Sequence, residues 1–336
     1  MSDSQLIEVA ITGDERAFAE LVQPHRRPLH AHCYRMLGSL QDAEDAVQET
    51  LLRAWRNLSS FQRRSSLRTW LYTIATNVCL RAIERRPSRV LPIDYGPPAD
   101  PHEPPHEPLV ETVWLEPYPD ERPGLDDGLA GPEARYEQRE SIELAFVAAI
   151  QLLPARQRAV LILRDVLGFS GAEVAEALET TTASVYSALQ RAHVTLEERR
   201  PERTQQATLR SLGDEQLQAI VARYVEAWAS NDVEALVRML TDSATLAMPP
   251  IPSWYRGRDA IERVLRGVVF ISTRSWRMLP ATANGQLAVG AYELDSSGVY
   301  GAHGVTVLTI RDELIDEITH FRTPWMVERF GLPLQA

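Results

Sequence analysis

The sequence predicts a multidomain chain of two all-α domains followed by a C-terminal α+β domain, and three observations carry that prediction. The chain has 336 residues, more than one ordinary core at roughly 100–200 residues per domain. Apolar residues recur at three-and-four spacing through its first part, then give way to β-branched runs with a hairpin signal. Between helical blocks lies a stretch rich in Pro, Asp and Glu, whose composition disfavours helix and offers little to a core. The division that results is 10–86, a linker at 87–132, a second helical block at 133–200 and a last domain at 213–332. A shorter polar break from Glu197 to Gly213 sets off the last domain.

With 44% hydrophobic and 24% charged residues, the chain has the profile of folded globular domains rather than of a disordered one. No apolar run approaches the roughly 18 residues of a membrane span, and the start MSDSQLIEVAITGDERAF lacks the order of a signal peptide. A cytoplasmic protein with no membrane partner is expected. Cys33 and Cys79 lie in helix-like apolar patterns without a CxxC or Cys/His cluster, so both read as reduced core residues and neither a metal nor a cofactor is expected.

A net charge of −11 argues against nucleic acid until the charges are located. From Arg53 to Arg89 the chain carries Arg56, Arg63, Arg64, Arg68, Arg81, Arg85 and Arg86 against one acid, Glu84. Acid is concentrated elsewhere.

In the first block, helices are expected from Asp14 to His32 and from Leu40 to Leu58, the latter through Leu40, Ala43, Val47, Leu51, Trp55 and Leu58. A third runs from Leu67 to Arg86 with Leu67, Leu71, Ile74, Val78 and Ala82 on one face. Thr69, Thr73, Thr76, Asn77 and Leu80 lie opposite. A hydrogen-bonding stripe beside an arginine cluster suits contact with bases and phosphates. The second block ends in SGAEVAEALETTTASVYSALQRAHVTLEER, which has the length and pattern of a helix-turn-helix. Val185, Leu189 and Ala192 would face in; Ser184, Tyr186, Ser187, Gln190 and Arg191 would face out.

The last block opens with an amphipathic helix (Leu217, Ile220, Val221, Tyr224, Val225, Trp228) and a second around Val233 to Leu240. Strands follow. Asn284–Gly285 between RMLPATA and QLAVGAYEL is a strong hairpin signal, and GVTVLTI and LIDEITHF carry β-branched residues.

The segment DAEDAVQETLLRAW, with FQRRSSLRTWLYTIATNVCL behind it, closely resembles region 2 of the extracytoplasmic-function sigma factors of bacterial RNA polymerase. The helix-turn-helix then falls where region 4 belongs. The resemblance implies core RNA polymerase and promoter DNA as partners, and two helical domains on a flexible connector. It assigns Asp42, Glu44, Asp45, Gln48 and Glu49 to docking on the polymerase clamp helices. Acids in a first turn also complement a helix dipole with no partner at all, and Ser39 stands where a cap would be.

The same resemblance assigns −10 recognition to the loop Phe61, Gln62, Arg63, Arg64, Ser65 and Ser66 and to Thr73 and Asn77 on the following helix. Gln62-Arg63-Arg64-Ser65 stands where relatives have Arg-Gly-Asp-Ser, so two arginines replace a glycine and an acid. It assigns −35 contacts to Ser184, Tyr186, Ser187, Gln190 and Arg191. Relatives carry basic residues in place of Tyr186 and Ala188, so fewer phosphate contacts are expected, and a glycine in place of Glu179. A left-handed backbone at Glu179 would cost on the order of 1 kcal/mol. The connector, which threads the polymerase RNA path in that family, here carries Trp114-Leu115-Glu116-Pro117-Tyr118. Docking of Trp114 on another domain of the same chain is the alternative.

YVEAWASNDVEALVRMLTDSATL and the later WYRGRDAI resemble the SnoaL-like, NTF2-like superfamily. The implied fold is a cone with an apolar pocket for a small-molecule ligand, lined by Tyr224, Trp228, Met248, Trp254, Tyr255, His303 and His320. Ketosteroid-isomerase relatives need a carboxylate base and an acidic donor in that cavity. Asp242 reads as a helix cap and Asp295 as a turn residue with Ser296 and Gly298, so no catalytic residue is expected. The whole arrangement resembles the actinobacterial SigG and SigJ types, whose C-terminal extension acts on the sigma domains in cis. Two other readings stay open: a plain helix-turn-helix regulator, and a bifunctional protein whose cavity is an enzyme site.

Overall fold

The computed structural model describes residues 2–61, 65–84, 89–109, 114–120, 143–197, 204–271 and 274–336. They form two compact units. One comprises residues 1–89 and 145–200 together with 122–141; the other comprises 90–121, 142–144 and 201–336. Both helical blocks thus share a unit, and residues 90–121 of the expected linker belong with the C-terminal domain.

The helical unit begins with α1 (Asp3–Ile11), α2 (Glu15–Leu37), α3 (Leu40–Asn57) and α4 (Leu67–Ile83). Each starts on a side-chain cap: Ser2, Asp14, Ser39 and Ser66 accept backbone N–H groups that the first turn leaves free. Gly38, at φ +69°, closes α2 in the left-handed conformation that glycine adopts at least cost. Leu29, Met36, Leu40, Ala43, Leu71 and Cys79 meet in the core. Cys33 is also fully buried, and burial together with a hydrogen bond to Cys33 pushes the Cys79 thiol up.

Helix α4 departs from the expected pattern of one buried and one polar face. Thr69 and Thr76 are buried as well as Leu67, Leu71 and Val78, while Ile74 and Ala82 are only half-buried. The helix is packed on two sides. Its hydroxyls tolerate this because Thr73 and Thr76 donate to the carbonyls of Thr69 and Tyr72, one turn back.

The second helical block supplies α5 (Leu144–Gln151), α6 (Ala155–Leu161) with a π turn at Ile162–Val166, α7 (Gly171–Ala177) and α8 (Thr182–Glu197). Ser170 and Glu173 form a capping box at the start of α7. Val185, Ala188 and Ala192 turn inward on α8, with Leu189 half-buried.

In the other unit α9 (Gln205–Ala229) starts earlier than expected, inside the stretch that reads as a polar break. The break itself is one residue, Gly213 at φ 75°, ψ 163°. The Glu143 carboxylate accepts from the N–H groups of Gln205 and Gln206 at 3.2 and 2.8 Å, which suits an anion to a helix N-terminus. Helices α10 (Val233–Arg238) and α11 (Arg258–Val264) pack with α9 on a six-stranded sheet. Its strands are β1 (Leu240–Ala247), β2 (Trp254–Arg256), β3 (Trp276–Ala283), β4 (Gln286–Leu294), β5 (Tyr300–Arg311) and β6 (Leu314–Phe321), in the order β2-β1-β6-β5-β4-β3. Only β1 and β6 run parallel. Asn284 and Gly285, both at positive φ, make the expected hairpin turn. Asp242 caps no helix; it lies in β1, exposed, and pairs with Arg258 at 3.2 Å. Asp295 does sit in its turn, accepting from Ser297 and Val299.

The described part of the connector is strapped to this unit at several points between Gly96 and Asp120. Ala99 N–H donates to the Trp254 carbonyl and Leu109 N–H to that of Pro250, while the Trp254 indole donates to the Gly96 carbonyl at 2.7 Å. Farther on, Tyr118 and Asn284 exchange two hydrogen bonds of 2.8 Å, and the Asp120 carboxylate accepts the Gly285 N–H at 2.9 Å. Leu115 is fully buried, Tyr118 is 3% exposed and Trp114 is 9% exposed. A Pro- and acid-rich composition thus still delivers three apolar anchors to a preformed surface.

Candidate functional site

The acidic helix α3 presents its candidate docking residues unequally. Asp45 and Gln48 are exposed, Glu44 and Glu49 half-buried, and Glu49 pairs with Arg53 one turn on at 2.6 Å. Asp42 is engaged within the unit, accepting the Arg89 guanidinium at 2.7 Å with both side chains about nine-tenths buried. The cap expected of Ser39 is present, its Oγ accepting Asp42 N–H at 3.2 Å.

Of the candidate −10 loop, Gln62, Arg63 and Arg64 lie outside the described residues. Phe61 packs on Trp70 with ring centroids 4.9 Å apart, and Ser66 caps α4. Thr73 and Asn77 are half-buried, because α7 and the π turn lie against this face of α4. Asn77 Nδ2 donates to the Ala177 carbonyl at 3.3 Å, Thr69 Oγ1 to Glu173 at 3.3 Å, and Arg68 to the Leu167 carbonyl at 3.0 Å. The Arg68 guanidinium also covers the rings of Phe169 and Tyr72, at 4.6 and 5.2 Å.

A second clasp joins the two helical blocks. Arg158, 2% exposed, donates to the Met36 carbonyl, to Gln151 Oε1 and to the carbonyls of Gln151 and Leu153, while Gln151 Nε2 donates to the Arg35 carbonyl. Burial lowers the Arg158 pKa to about 10. The guanidinium stays charged, with the Met36 carbonyl at the α2 C-terminus and the Gln151 and Leu153 carbonyls at the end of α5 as its backbone acceptors.

On α8 all five candidate −35 residues, Ser184, Tyr186, Ser187, Gln190 and Arg191, are exposed. Tyr186 is 54% exposed, with the Arg164 guanidinium 5.7 Å from its ring. The turn before α8 places Glu179 at φ +51°, the left-handed backbone that the sequence pattern anticipates there.

The C-terminal unit encloses a cavity of about 290 Å³ between α9, α10 and the inner face of the sheet. Tyr224, Trp228, Met248, His303 and His320 line it as expected. Trp254 and Tyr255 do not: Trp254 holds the connector through its indole, and Tyr255, 1% exposed, sits in the hydrophobic core. Sequence reasoning missed Trp276, Thr306, Arg274 and Arg322, and also Pro105–Pro108 of the connector, which forms part of the wall. Strand alternation places Arg322 on the face of His320, two residues on, and is the signal that finds it. Nothing in sequence spacing brings residues 105–108 to the cavity.

His303 Nδ1 and His320 Nε2 are 2.8 Å apart with ring planes at 8°, and His320 Nδ1 lies 2.8 Å from Thr306 Oγ1. His303 Nε2 faces the Glu293 carboxylate at 3.9 Å. If Thr306 donates to His320 and His320 to His303, the remaining Nε2–H points at Glu293; the reverse order aims a lone pair at that carboxylate. The first order is favoured. Burial and the nearby Arg322 and Arg274 lower the His303 pKa to about 4, while burial and the neighbouring His303 push His320 well down. Both rings are neutral at pH 7. Tyr224, 1% exposed, has no acceptor for its phenol proton, and burial pushes its pKa up, so it remains a donor.

Two helical blocks ending in a helix-turn-helix, followed by an α+β cone, are the fold of a sigma factor with a fused C-terminal domain. Residues 21–89 match the family Sigma-70 region 2, residues 143–196 match Sigma-70, region 4, and residues 221–318 match the SnoaL-like domain. The chain is 43% identical over 327 residues to the ECF RNA polymerase sigma factor SigG of Mycobacterium tuberculosis, covering 95% of this chain and 85% of SigG. It therefore belongs to the extracytoplasmic-function sigma factor family, and its task is transcription initiation. SigM of the same organism is 29% identical over 195 residues, 58% of this chain and 83% of SigM. The fold matches the crystal structure of Mycobacterium tuberculosis SigJ with a TM-score of 0.58 at 22% identity, covering 94% of this chain and 99% of SigJ. No helix among the described residues is long and apolar enough to cross a membrane.

Proposed function

We propose that this sigma factor acts in the cytoplasm with core RNA polymerase, docks through the exposed part of α3 and reads promoter DNA through α4 and α8. Its C-terminal domain regulates it in cis by gripping the connector between regions 2 and 4, and the cavity is the ligand site through which that grip is set. The observation that supports this reading is the strap: Trp114, Leu115 and Tyr118 are buried in the C-terminal unit, although they precede region 4 in the chain. A ligand shifts such an equilibrium only through unequal affinity for the gripped and released states.

The test is promoter-specific transcription by purified core polymerase. Leu115→Asp with Tyr118→Asp in the full chain releases the strap while leaving regions 2 and 4 unaltered. A higher initiation rate at limiting factor is expected from the double variant. Equal activity of both proteins refutes cis regulation through the connector, and no promoter-specific transcript from either refutes the promoter-reading role.

A further inference from the structure

We propose that the C-terminal cavity binds a small aryl carboxylate bearing a second oxygen at the far end of its ring, with the carboxylate at Arg322 and that oxygen accepting from Tyr224 Oη. The proposal rests on the regulatory reading of the cavity and names its ligand.

Size comes first: a volume of about 290 Å³ lies at the lower end of ordinary small-molecule sites. The shape of the walls selects among molecules of that size. Trp228 and Trp276 meet edge to face, with centroids 5.6 Å apart at 79°, and Trp276 meets His303 in the same manner at 5.0 Å and 87°. Such surfaces offer a planar ring both a face and an edge to pack against.

The polar groups then fix its two ends. At one end Tyr224 Oη is a buried donor with no acceptor. The Trp228 indole N–H is likewise buried without a hydrogen-bond partner, so an oxygen of a ligand in this aromatic end can accept from unused donors. At the other end His303 and Arg322 line both the cavity and a shallower recess bounded by Pro108, Pro250 and Pro324, which marks the mouth. Arg274 is neutralised there by Glu293 at 2.9 Å, and both histidines are uncharged. Arg322, half-buried, faces the same Glu293 carboxylate as Arg274, so two guanidiniums share one carboxylate at the mouth, while Glu107 of the connector also lines the cavity. A ligand without a carboxylate leaves both guanidiniums with the single Glu293 carboxylate, and one without a distal oxygen leaves Tyr224 without an acceptor. The roof over the ligand is Pro105–Pro108, with His106 pinned to Ser253 by contacts of 2.8 and 2.9 Å, so a bound ring touches the connector directly.

Calorimetric titration of the full chain tests this with three probes: para-hydroxyphenylacetate, phenylacetate, and para-hydroxyphenethyl alcohol. The hydroxy acid should bind, and loss of either the hydroxyl or the carboxylate should weaken binding by about tenfold, as expected for one hydrogen bond to a charged or buried group. Arg322→Gln should abolish the preference for the acid over the alcohol while leaving the alcohol's affinity unchanged. Tyr224→Phe should abolish the preference for the hydroxy acid over phenylacetate. The probe comparison in the unaltered protein stands even if a variant fails to fold. Equal affinity for all three probes, or no binding at millimolar concentration, overturns the assignment. Selective binding with no effect on transcription upholds the ligand assignment and overturns the regulatory role of the site.

Discussion

At the scale of single residues, Glu179 occupies a backbone well at φ +51° that L side chains enter at a cost. Glu179→Gly should therefore stabilise the helical unit by about 1 kcal/mol, seen as a higher urea midpoint; an unchanged or lower midpoint refutes the account. His32 is fully buried, and its Nε2–H must donate to Thr76 Oγ1, because that hydroxyl already donates to Tyr72. Burial first, then Arg35 and Arg68, lower its pKa to about 3. The unfolded chain takes up a proton near pH 6.5 and the folded chain does not, so stability is full above that pH and is lost as pH falls from 6.5 toward 3. The loss approaches about 1.4 kcal/mol per pH unit for each such histidine. Unfolding midpoints of the helical unit should fall between pH 7.5 and 5.5, and equal midpoints would contradict a buried neutral His32. Asn77→Ala should alter −10 preference without loss of core binding, and Asp45→Arg should do the reverse. Promoter competition and polymerase pull-down measure the two, and crossed results would reassign both residues.

Among the elements, the clasp between helical blocks makes the sharpest prediction. Arg158→Met leaves the Met36 and Leu153 carbonyls and the Gln151 amide with unmet acceptors in a dry site, at a cost of about 3 kcal/mol; a loss below 1 kcal/mol would mean that water replaces the guanidinium. The same packing covers Asn77 with α7, so reading a base at that position requires α7 to withdraw. This is where the sequence was least legible. The three-and-four spacing of α3, the cap at Ser39 and the Asn284–Gly285 turn are local signals, and each appears in place. Burial of Thr69 and Thr76 was not legible, because threonine reads as polar and the groups that meet these hydroxyls, Glu173 for Thr69 and His32 for Thr76, lie far away in the sequence. Trp254 and Tyr255 read as cavity residues because they are aromatic, but the pleat of the short strand β2 turns one to the connector and the other to the core. Arg158 carries no local mark, since most of its acceptors are backbone carbonyls and only the folded structure shows where those point.

For the molecule as a whole, the net charge of −11 misleads, because the arginines concentrated between Arg53 and Arg89 form a local basic region on an otherwise acidic chain. The strap sets a time scale as well as a structure. Tyr118 binds Asn284, 166 positions downstream, and at typical synthesis rates of about 5–20 residues per second the connector waits roughly 10–30 s for its receiver to be made. For about the second half of that interval regions 2 and 4 are both complete while nothing yet grips the segment between them. On the proposed reading each newly made chain is thus born in the released form and becomes gripped only once the β3–β4 hairpin has been made, so a burst of synthesis would transiently supply unrestrained factor before the population settles.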